Sequence, residues 1–414
     1  MTDQGTAAAA AGEAGRWRML ALICTGVVGV MTTWFSATAI LPELVAAWAL
    51  GPGEAAWLTN AVQGGFVAGA LASSLVNLPD IMRMQRLMTI AALLAAAANL
   101  SLLVAPTPTL AILARAATGV ALAGVYPPAV KLMATWFRTG RGLALGMLIG
   151  ALTFGSSMPH LIRSLTDGIA WQAVVIATSA LTLGSAAIFA LLVHEGPHAF
   201  GRASFDPHQA LRVLRDRPVF LANLGYFGHM WELYAMWAWI LAFGTAAAET
   251  GLSPFPAGTP SLLAFIVVAS GVAGCLIGGW LSDRIGRCLT TAGMMIVSGT
   301  CAVLIGFAFD GPGWLLLAIA VIWGMSVIGD SAQFSAAVTE LADARLVGTA
   351  LTLQMGIGFG LTIFAIWIVP LMAEALGGWQ WAFLILLPGP VTGAWAMLRL
   401  RRLPEAARLA HGAR

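Results

Sequence analysis

Charged side chains are the scarcest feature of this 414-residue sequence. They make up 9% of the residues, and hydrophobic residues make up 59%. Soluble domains carry about 25% charged residues, so this chain has too little polar surface to cover a core that faces water. The net charge of +3, without a long basic run, also excludes the footprint of a nucleic-acid-binding protein. The composition therefore indicates a protein whose solvent is lipid.

Motifs that hold metals or cofactors are also missing from the sequence. The 4 cysteines lie in or beside apolar runs without the paired spacing of a zinc or redox site, and the 6 histidines are scattered. No phosphate-binding loop of an ATPase is present. We therefore expect no metal, no cofactor and no enzymatic activity.

Long apolar runs fill the sequence instead. A bilayer core about 30 Å thick needs roughly 20 apolar residues for each helical crossing. Strands of a β-barrel would be about ten residues long and alternating, and these runs are neither. The predicted fold is an all-α integral membrane protein with twelve transmembrane helices. The predicted spans cover residues 19–41, 55–77, 87–105, 109–136, 142–163, 171–193, 219–244, 261–282, 289–309, 313–336, 346–373 and 379–398.

The longest segment between spans divides the chain into two halves of six spans each. Asp80 follows the second span of the first half as Asp283 follows the second span of the other half, which indicates two pseudo-symmetric six-helix bundles. Duplicated halves of this kind place a substrate site between them, near the bilayer midplane. The predicted segments are a tail at 1–18, a bundle at 19–193, a linker at 194–218, a bundle at 219–398 and a tail at 399–414.

Basic residues are distributed unevenly over the predicted loops. All but three of the 21 lie in the tails, in the linker or in every second loop. The positive-inside rule places those segments in the cytoplasm. We therefore expect a multi-pass, monomeric protein of a bacterial inner (plasma) membrane with both termini in the cytoplasm.

One loop carries a recognisable motif. The run G-x-x-x-D-R-x-G-R at 279–287 resembles the signature loop of the major facilitator superfamily, and it lies between spans 8 and 9 as in that family. Span 4 places Arg115 before Gly119 and Gly124, which is similar to a second motif whose buried arginine is implicated in substrate or proton handling. The junction of spans 4 and 5 resembles branches that carry organic anions or nitrate. In span 5, Pro159 and His160 replace the Gly-Pro pair of the drug antiporters.

Charged residues near the signature loop predict a latch that closes the cytoplasmic side. Asp283 can accept hydrogen bonds from the exposed N–H groups at the start of span 11. Glu340, at the end of span 10, is a partner for Arg284 or Arg287. The loop with Asp80 lacks the matching acid, so we expect a weaker latch in the first half. The alternative is that these loops are charged turns that satisfy the positive-inside rule.

Ionisable side chains inside spans are candidates for proton coupling, since each costs about 2.5–3.5 kcal/mol to insert. Tyr226, His229 and Glu232 are spaced i, i+3, i+6 on one face of span 7. We predict that Glu232 carries the coupling proton with His229 beside it, and that Tyr226 contacts the substrate. The alternative for Glu232 is a structural hydrogen bond to His229 or to a neighbouring helix. Asp330 in span 10 is a second proton site, a partner for a basic group, or a packing residue.

Substrate contacts are predicted in three other spans. Arg115 and Tyr126 are eleven residues apart in span 4, which places them on one helical face, whereas Lys131 lies on the opposite face and is expected to extend to the interface. His160 in span 5 is a substrate donor, a proton relay or a satisfied core residue. Trp34 in span 1 belongs to an aromatic wall around the substrate or to helix packing.

These features together predict a secondary active transporter. We predict a proton-coupled symporter for a small anion or organic acid, because Arg115 supplies positive charge. An exporter of hydrophobic or cationic compounds is the alternative, which Glu232 and Asp330 favour. A non-transporting membrane sensor is an alternative of another class. The expected partners are a small-molecule substrate, protons and the lipid bilayer.

Overall fold

A computed structural model of the chain describes residues 3–76, 78–137, 140–166, 169–198, 209–250, 258–343 and 346–412. These residues form helices joined by turns, and no strand occurs among them. The side chains of Asp80 and Arg141 lie outside the description, as do residues 199–208 of the predicted linker. The helices are α1 Asp3–Met31, α2 Leu41–Trp48, α3 Pro52–Leu75, α4 Leu78–Ile81, α5 Met84–Leu100, α6 Pro108–Leu122, α7 Tyr126–Trp136, α8 Arg141–Leu165, α9 Gln172–Leu191, α10 Ala210–Arg215, α11 Arg217–Glu249, α12 Pro260–Ile285, α13 Arg287–Phe307, α14 Gly313–Gly329, α15 Ser331–Leu341, α16 Val347–Ala375 and α17 Pro388–Arg401.

Nine helical segments in the described parts of the chain are long and apolar enough to cross a membrane. The remaining three predicted spans fall on α1, α3 and α11, which contain 29, 24 and 33 residues. A helix of 24 residues is about 36 Å long, which is sufficient to cross. Polar residues such as Asn60, Gln63 and Glu232 lower the hydropathy of these helices, and all three are buried. The predicted all-α, twelve-span fold is confirmed.

Two predicted spans are each divided into two helices. Span 4 is α6 and α7, with a break at residues 123–125, directly before Pro127 and Pro128. Span 10 is α14 and α15, with a break at Asp330, which follows Gly329. Pro127 and Pro128 have no N–H to donate to the carbonyl oxygens of Ala123 and Gly124, four residues earlier, which explains the first break. Because the two breaks occupy equivalent positions in the two halves, they support the predicted pseudo-symmetry.

Close helix contacts repeat in the two halves. In the first half α3 packs against α6, and in the second half α12 packs against α14. A Cβ atom on Gly119 would lie 2.1 Å from the carbonyl oxygen of Val62, and one on Gly274 would lie 1.9 Å from that of Met325. Both contacts therefore require glycine, because any side chain would collide with the backbone of the facing helix.

The halves meet along two helix pairs, α8 with α12 and α3 with α16. The described part of the chain begins and ends on one side of the bundle, which we call the linker face. There the indole of Trp136 donates to the carbonyl oxygen of His194 at 3.0 Å, and Arg408 donates to that of Leu341 at 3.4 Å. The other side, which we call the opposite face, carries α2 and the turns that begin at residues 101, 308 and 376.

Candidate functional site

A cavity of about 210 Å³ lies between the two halves. Its walls come from α7, α8, α11, the end of α14, α15 and α16, in the part of the bundle nearer the linker face. Tyr126, Tyr226 and Tyr234 line this cavity, and they are the 3 tyrosines of the whole chain. Two of them, Tyr126 and Tyr226, are predicted substrate contacts. Tyr234 was missed by sequence reasoning, although the rarity of tyrosine was a signal that pointed to it.

The rest of the cavity wall is largely apolar. Its polar members besides the tyrosines are Ser331 and Ser335, both on α15, and the described residues that line it include no charged side chain. The apolar lining consists of Pro127, Val130, Leu145, Ile149, Leu152, Met230, Leu233, Ile328, Ala332, Leu351, Met355 and Phe359. Such a wall suits an uncharged molecule that is held by apolar contact and a few hydroxyl groups.

An aromatic seam closes the cavity toward the opposite face. Trp34 stacks on Tyr234 with ring centroids 5.6 Å apart, and the rings of Phe66 and Phe359 are 4.7 Å apart. Each pair joins one half to the other. Trp34 therefore contacts a residue of the cavity wall rather than the cavity itself.

Arg115 is fully buried inside the first half and does not line the cavity. Its guanidinium donates to the carbonyl oxygen of Thr33 at 2.8 Å, to the Ser36 hydroxyl at 3.0 Å, and to the carbonyl oxygen of Trp34. The Ser36 hydroxyl in turn donates to Asn99 at 2.6 Å. The expected continuous helix over 19–41 is wrong: α1 ends at Met31, and Arg115 binds the carbonyl oxygens of Thr33 and Trp34 in the turn that follows.

The predicted shared face of Arg115 and Tyr126 is also wrong. The geometry assumed an unbroken span 4, but the break at residues 123–125 separates the two side chains. Tyr126 lines the cavity, whereas Arg115 bonds to the chain that follows α1. A direct role of Arg115 in substrate binding stays a prediction.

The second half buries an acid and a histidine together. Nδ1 of His229 on α11 lies 2.8 Å from Oδ1 of Asp330, and both side chains are at most 2% exposed. Tyr226 and Met230 beside His229 line the cavity, as do Ile328 and Ser331 beside Asp330. The ring of His229 also packs 5.9 Å from that of Tyr226. The pair therefore lies directly behind the cavity wall, at the break in span 10.

Glu232 is buried one turn farther along α11, and its carboxylate forms hydrogen bonds with side chains on α13 and α14. Its Oε1 accepts hydrogen bonds from the Ser298 hydroxyl and the Trp323 indole, both at 2.7 Å. Glu232 does not line the cavity, and His229 is bonded to Asp330 rather than to it. The contacts fit the structural alternative for Glu232, and its predicted proton-carrying role stays a prediction.

His160 is buried in α8, and neither ring nitrogen has a hydrogen-bond partner among the described residues. Leu145, Ile149 and Leu152 of the cavity wall lie on the same face of α8 as His160, because they recur at helical spacing. His160 lies farther from the linker face than these residues and is not part of the wall. Its predicted roles as a substrate donor or proton relay remain predictions.

The predicted gating residues lie at the linker face. Arg287 Nε donates to the Glu340 carboxylate at 2.8 Å, and its Nη1 donates to the side-chain oxygen Oε1 of Gln333 at 2.6 Å. These contacts join α13 to α15. Arg284 instead packs 4.0 Å above the ring of Trp280. Asp283 is exposed, and no hydrogen bond or ion pair involves it within the described residues. The Asp80 side chain lies outside the description. The latch roles of these residues stay predictions.

Two half-bundles with a cavity between them define a class of protein, the membrane transporters. The sequence model of the Major Facilitator Superfamily matches residues 22–365, and the chain belongs to this family. The predicted membership of this family is confirmed.

Relatives and solved structures agree with this assignment. The MFS-type transporter hasB of Aspergillus fumigatus is 29% identical over 203 residues, which is 46% of this chain and 43% of that protein. The MFS-type transporter pytF of Aspergillus terreus is 25% identical over 172 residues, which is 41% of this chain and 55% of that protein. The chain spans about half the length of these curated relatives.

Two solved structures share the fold. A mutant of the nucleoside transporter NupG has a TM-score of 0.71 at 16% identity, with 92% of this chain and 99% of that chain covered. A bacterial homologue of the human lysosomal transporter Spinster, in an inward-facing and unoccupied conformation, has a TM-score of 0.65 at 14% identity, with 96% of this chain and 97% of that chain covered. At these identities the likeness shows the fold alone.

Proposed function

We propose that this protein is a proton-coupled transporter, working by alternating access, for small uncharged organic molecules that are largely apolar. The observation that carries the substrate class is the cavity wall, where the three tyrosines and two serines supply hydroxyl groups among aliphatic and aromatic side chains. The aromatic or aliphatic part of such a substrate fits the apolar surfaces, and its few hydroxyl or carbonyl groups form hydrogen bonds with the tyrosine hydroxyls.

This proposal revises the substrate that the sequence favours. A small anion needs a cation or several N–H donors where it binds, because an unpaired buried charge is costly. The positive charge of Arg115 is engaged by Thr33 and Trp34, away from the cavity. The chemistry of the wall supports the hydrophobic-compound alternative better than an anion.

For proton coupling we propose the pair of His229 and Asp330. Protonation of Asp330 removes the charge that holds the imidazole, so the contact at 2.8 Å weakens. Both partners are flanked by residues of the cavity wall, and Asp330 lies at the break between α14 and α15. A proton at this pair therefore alters the wall that the substrate contacts, which is the coupling that a carrier requires.

The linker face is proposed to be cytoplasmic, because the arginines of the tails and loops collect there. Location in a bacterial inner membrane and a monomeric state stay predictions, and the two curated relatives come from fungi. The same orientation places the central cavity in the cytoplasmic half of the bundle.

The test begins with a ligand screen. Purified protein is assayed by thermal shift against uncharged aromatic compounds, nucleosides among them, alongside small carboxylates and organic cations. A compound that stabilises the protein is then radiolabelled and assayed for uptake into proteoliposomes with and without an imposed pH gradient. We expect uncharged compounds to bind and to accumulate only with the gradient. Stabilisation by carboxylates alone would overturn the substrate class, and binding without flux would support a sensor.

A further inference from the structure

A second cavity, larger than the central one, lies on the opposite face between the two halves. Its volume is about 500 Å³. The first half contributes α2 and the start of α3, and the second half contributes α11, the end of α16 and the turn after it. We call this cavity the outer crevice. Because both halves form its walls, a molecule that fills it contacts both of them at once.

The walls of the outer crevice are apolar and aromatic. Leu41 and Val45 face it from α2, and Trp239 and Trp379 face it from the second half, with their ring centroids 5.5 Å apart. The indole N–H of Trp239 donates to the carbonyl oxygen of Ile366 at 2.8 Å. Trp239 is 4% exposed, so the more accessible indole of the pair is that of Trp379, which is partly exposed.

One charged side chain lines the outer crevice among the described residues, and it is an acid. Glu374, in the last turn of α16, is exposed, and no hydrogen bond or ion pair involves it within the described part of the chain. The Thr38 hydroxyl, another polar group of the lining, is within hydrogen-bond distance of the Thr59 hydroxyl at 2.8 Å. The site therefore offers apolar surface, indole rings and a carboxylate.

These three features together match one ligand chemistry. An organic cation is attracted both to a carboxylate and to the faces of indole rings, and its apolar groups are stabilised by aliphatic walls. An anion would be repelled by Glu374, and a sugar would leave its hydroxyl groups unpaired. The central cavity differs from the outer crevice, because three tyrosines line it and none of its described lining residues is acidic.

We propose that the outer crevice is a second binding site, distinct from the transport cavity, that takes a hydrophobic organic cation. The apolar groups of the cation lie between α2 and the two indoles, and its charge lies near the Glu374 carboxylate. Since the ligand bridges the halves on the side that the aromatic seam closes, it stabilises the closed arrangement there. Its effect on the carrier is then inhibition by holding one conformation.

The test uses the full chain in lipid nanodiscs and tetraphenylphosphonium as the probe, with binding measured by equilibrium dialysis. Triphenylphosphine oxide, which is similar in shape but uncharged, is the comparison compound. Glu374→Gln removes the charge at an exposed position, so the variant is expected to fold. Glu249→Gln is the matched control, because Glu249 is an exposed acid near the same face that does not line the crevice.

We expect wild-type protein to bind tetraphenylphosphonium more tightly than the phosphine oxide. Glu374→Gln should weaken binding of the cation about fivefold, in the range expected for an exposed charge pair. Trp379→Leu should weaken binding of both compounds. Glu249→Gln should bind as wild type does. Equal binding of the cation by wild type and Glu374→Gln, or no binding by wild type, would overturn the proposal. Equal affinity for the two compounds would also overturn it and would indicate an uncharged occupant such as a lipid chain.

Discussion

The two halves share one architecture but bury opposite kinds of polar groups. The first half buries a cation, Arg115, among backbone carbonyls and the Ser36 hydroxyl. The second half buries two acids, Glu232 and Asp330, one of them with a histidine. The glycine contacts and the broken spans 4 and 10 match between the halves. The first half therefore has a buried cation in a hydrogen-bonded network, and the second half has the buried acids on which the proposed proton coupling rests.

One contact at the linker face, in contrast, is repeated in the two halves. In each half, the segment after the last span returns to the end of the fourth. In the first half the N–H of Gly196 donates to the Thr135 hydroxyl at 2.8 Å. In the second half the N–H of Ala410 donates to the Glu340 carboxylate at 3.1 Å. The halves are therefore alike in this contact, whereas their buried centres differ.

The largest effect is expected from removal of the buried cation. Arg115→Gln leaves the carbonyl groups of Thr33 and Trp34 without their donor and should lower the free energy of unfolding by about 3–5 kcal/mol. The measurement is thermal unfolding in detergent, with Arg86→Gln, at an exposed position of the same half, as a control that should change little. If Arg115→Gln has the thermal stability of wild type but no longer binds the compound found in the screen, Arg115 contacts substrate and the structural assignment is wrong.

The second prediction distinguishes the roles of the two buried acids, Asp330 and Glu232. Asp330→Asn should abolish accumulation driven by a pH gradient while exchange of labelled for unlabelled substrate continues, because a permanently neutral side chain mimics the protonated carrier. Glu232→Gln should keep part of the accumulation, since Glu232 is bonded to Ser298 and Trp323 away from the cavity. Proteoliposome uptake measures both. The reverse order of effects would restore Glu232 as the coupling residue.

A third, smaller effect is expected when hydroxyl groups are removed from the central cavity, to which both halves contribute tyrosines. Tyr126→Phe, Tyr226→Phe and Tyr234→Phe each remove one hydroxyl group, which is worth about 0.5–1.5 kcal/mol or roughly two- to thirteenfold in Kd. At least one variant from each half should bind the screened compound more weakly. Binding that none of the three changes would show that the compound binds outside this cavity.

The smallest effect is expected at the linker face. Asp283→Asn should increase labelling, from the linker face, of a cysteine placed in the cavity more than Asp80→Asn does. The reason is that Arg287 and Glu340 form a charge pair near Asp283, whereas the sequence at the end of span 4 has no matching acid. Surface pairs are commonly worth about 0–1 kcal/mol, so the change in labelling rate should be a few-fold. The measurement needs a background without the native cysteines. Equal changes in the two variants would remove the predicted asymmetry of the latch.

Hydropathy predicted the spans well wherever a helix is unbroken. The predicted spans 171–193 and 261–282 correspond to α9 at Gln172–Leu191 and α12 at Pro260–Ile285. The breaks were harder to predict, because apolar residues continue through them. The end of α1 at Met31 depends on Arg115, which is distant in sequence, so no local pattern near residue 31 signals it.

The candidate site was predictable only in part, because the contacts between distant helices are not visible in the sequence. Helical spacing placed Tyr226, His229 and Glu232 on one face of α11, and all three side chains are buried. The partner of Asp330 was foreseen as a basic group but was not identified as His229, since that contact depends on how two distant helices pack. The exclusion of Arg115 from the cavity also depends on packing. A wheel diagram of one straight helix contains no such information.

The most direct test measures proton release or uptake on substrate binding. It asks whether the groups that exchange the proton lie in the second half, as proposed. Purified protein in weak buffer with a pH-sensitive dye receives the screened compound, and the protons released or taken up are counted for wild type, Asp330→Asn and His160→Asn. His160 is the matched residue in the first half, because it is a buried titratable group outside the cavity wall. Proton exchange that persists in His160→Asn and vanishes in Asp330→Asn is the predicted result. Exchange that persists in Asp330→Asn and vanishes in His160→Asn would contradict the account.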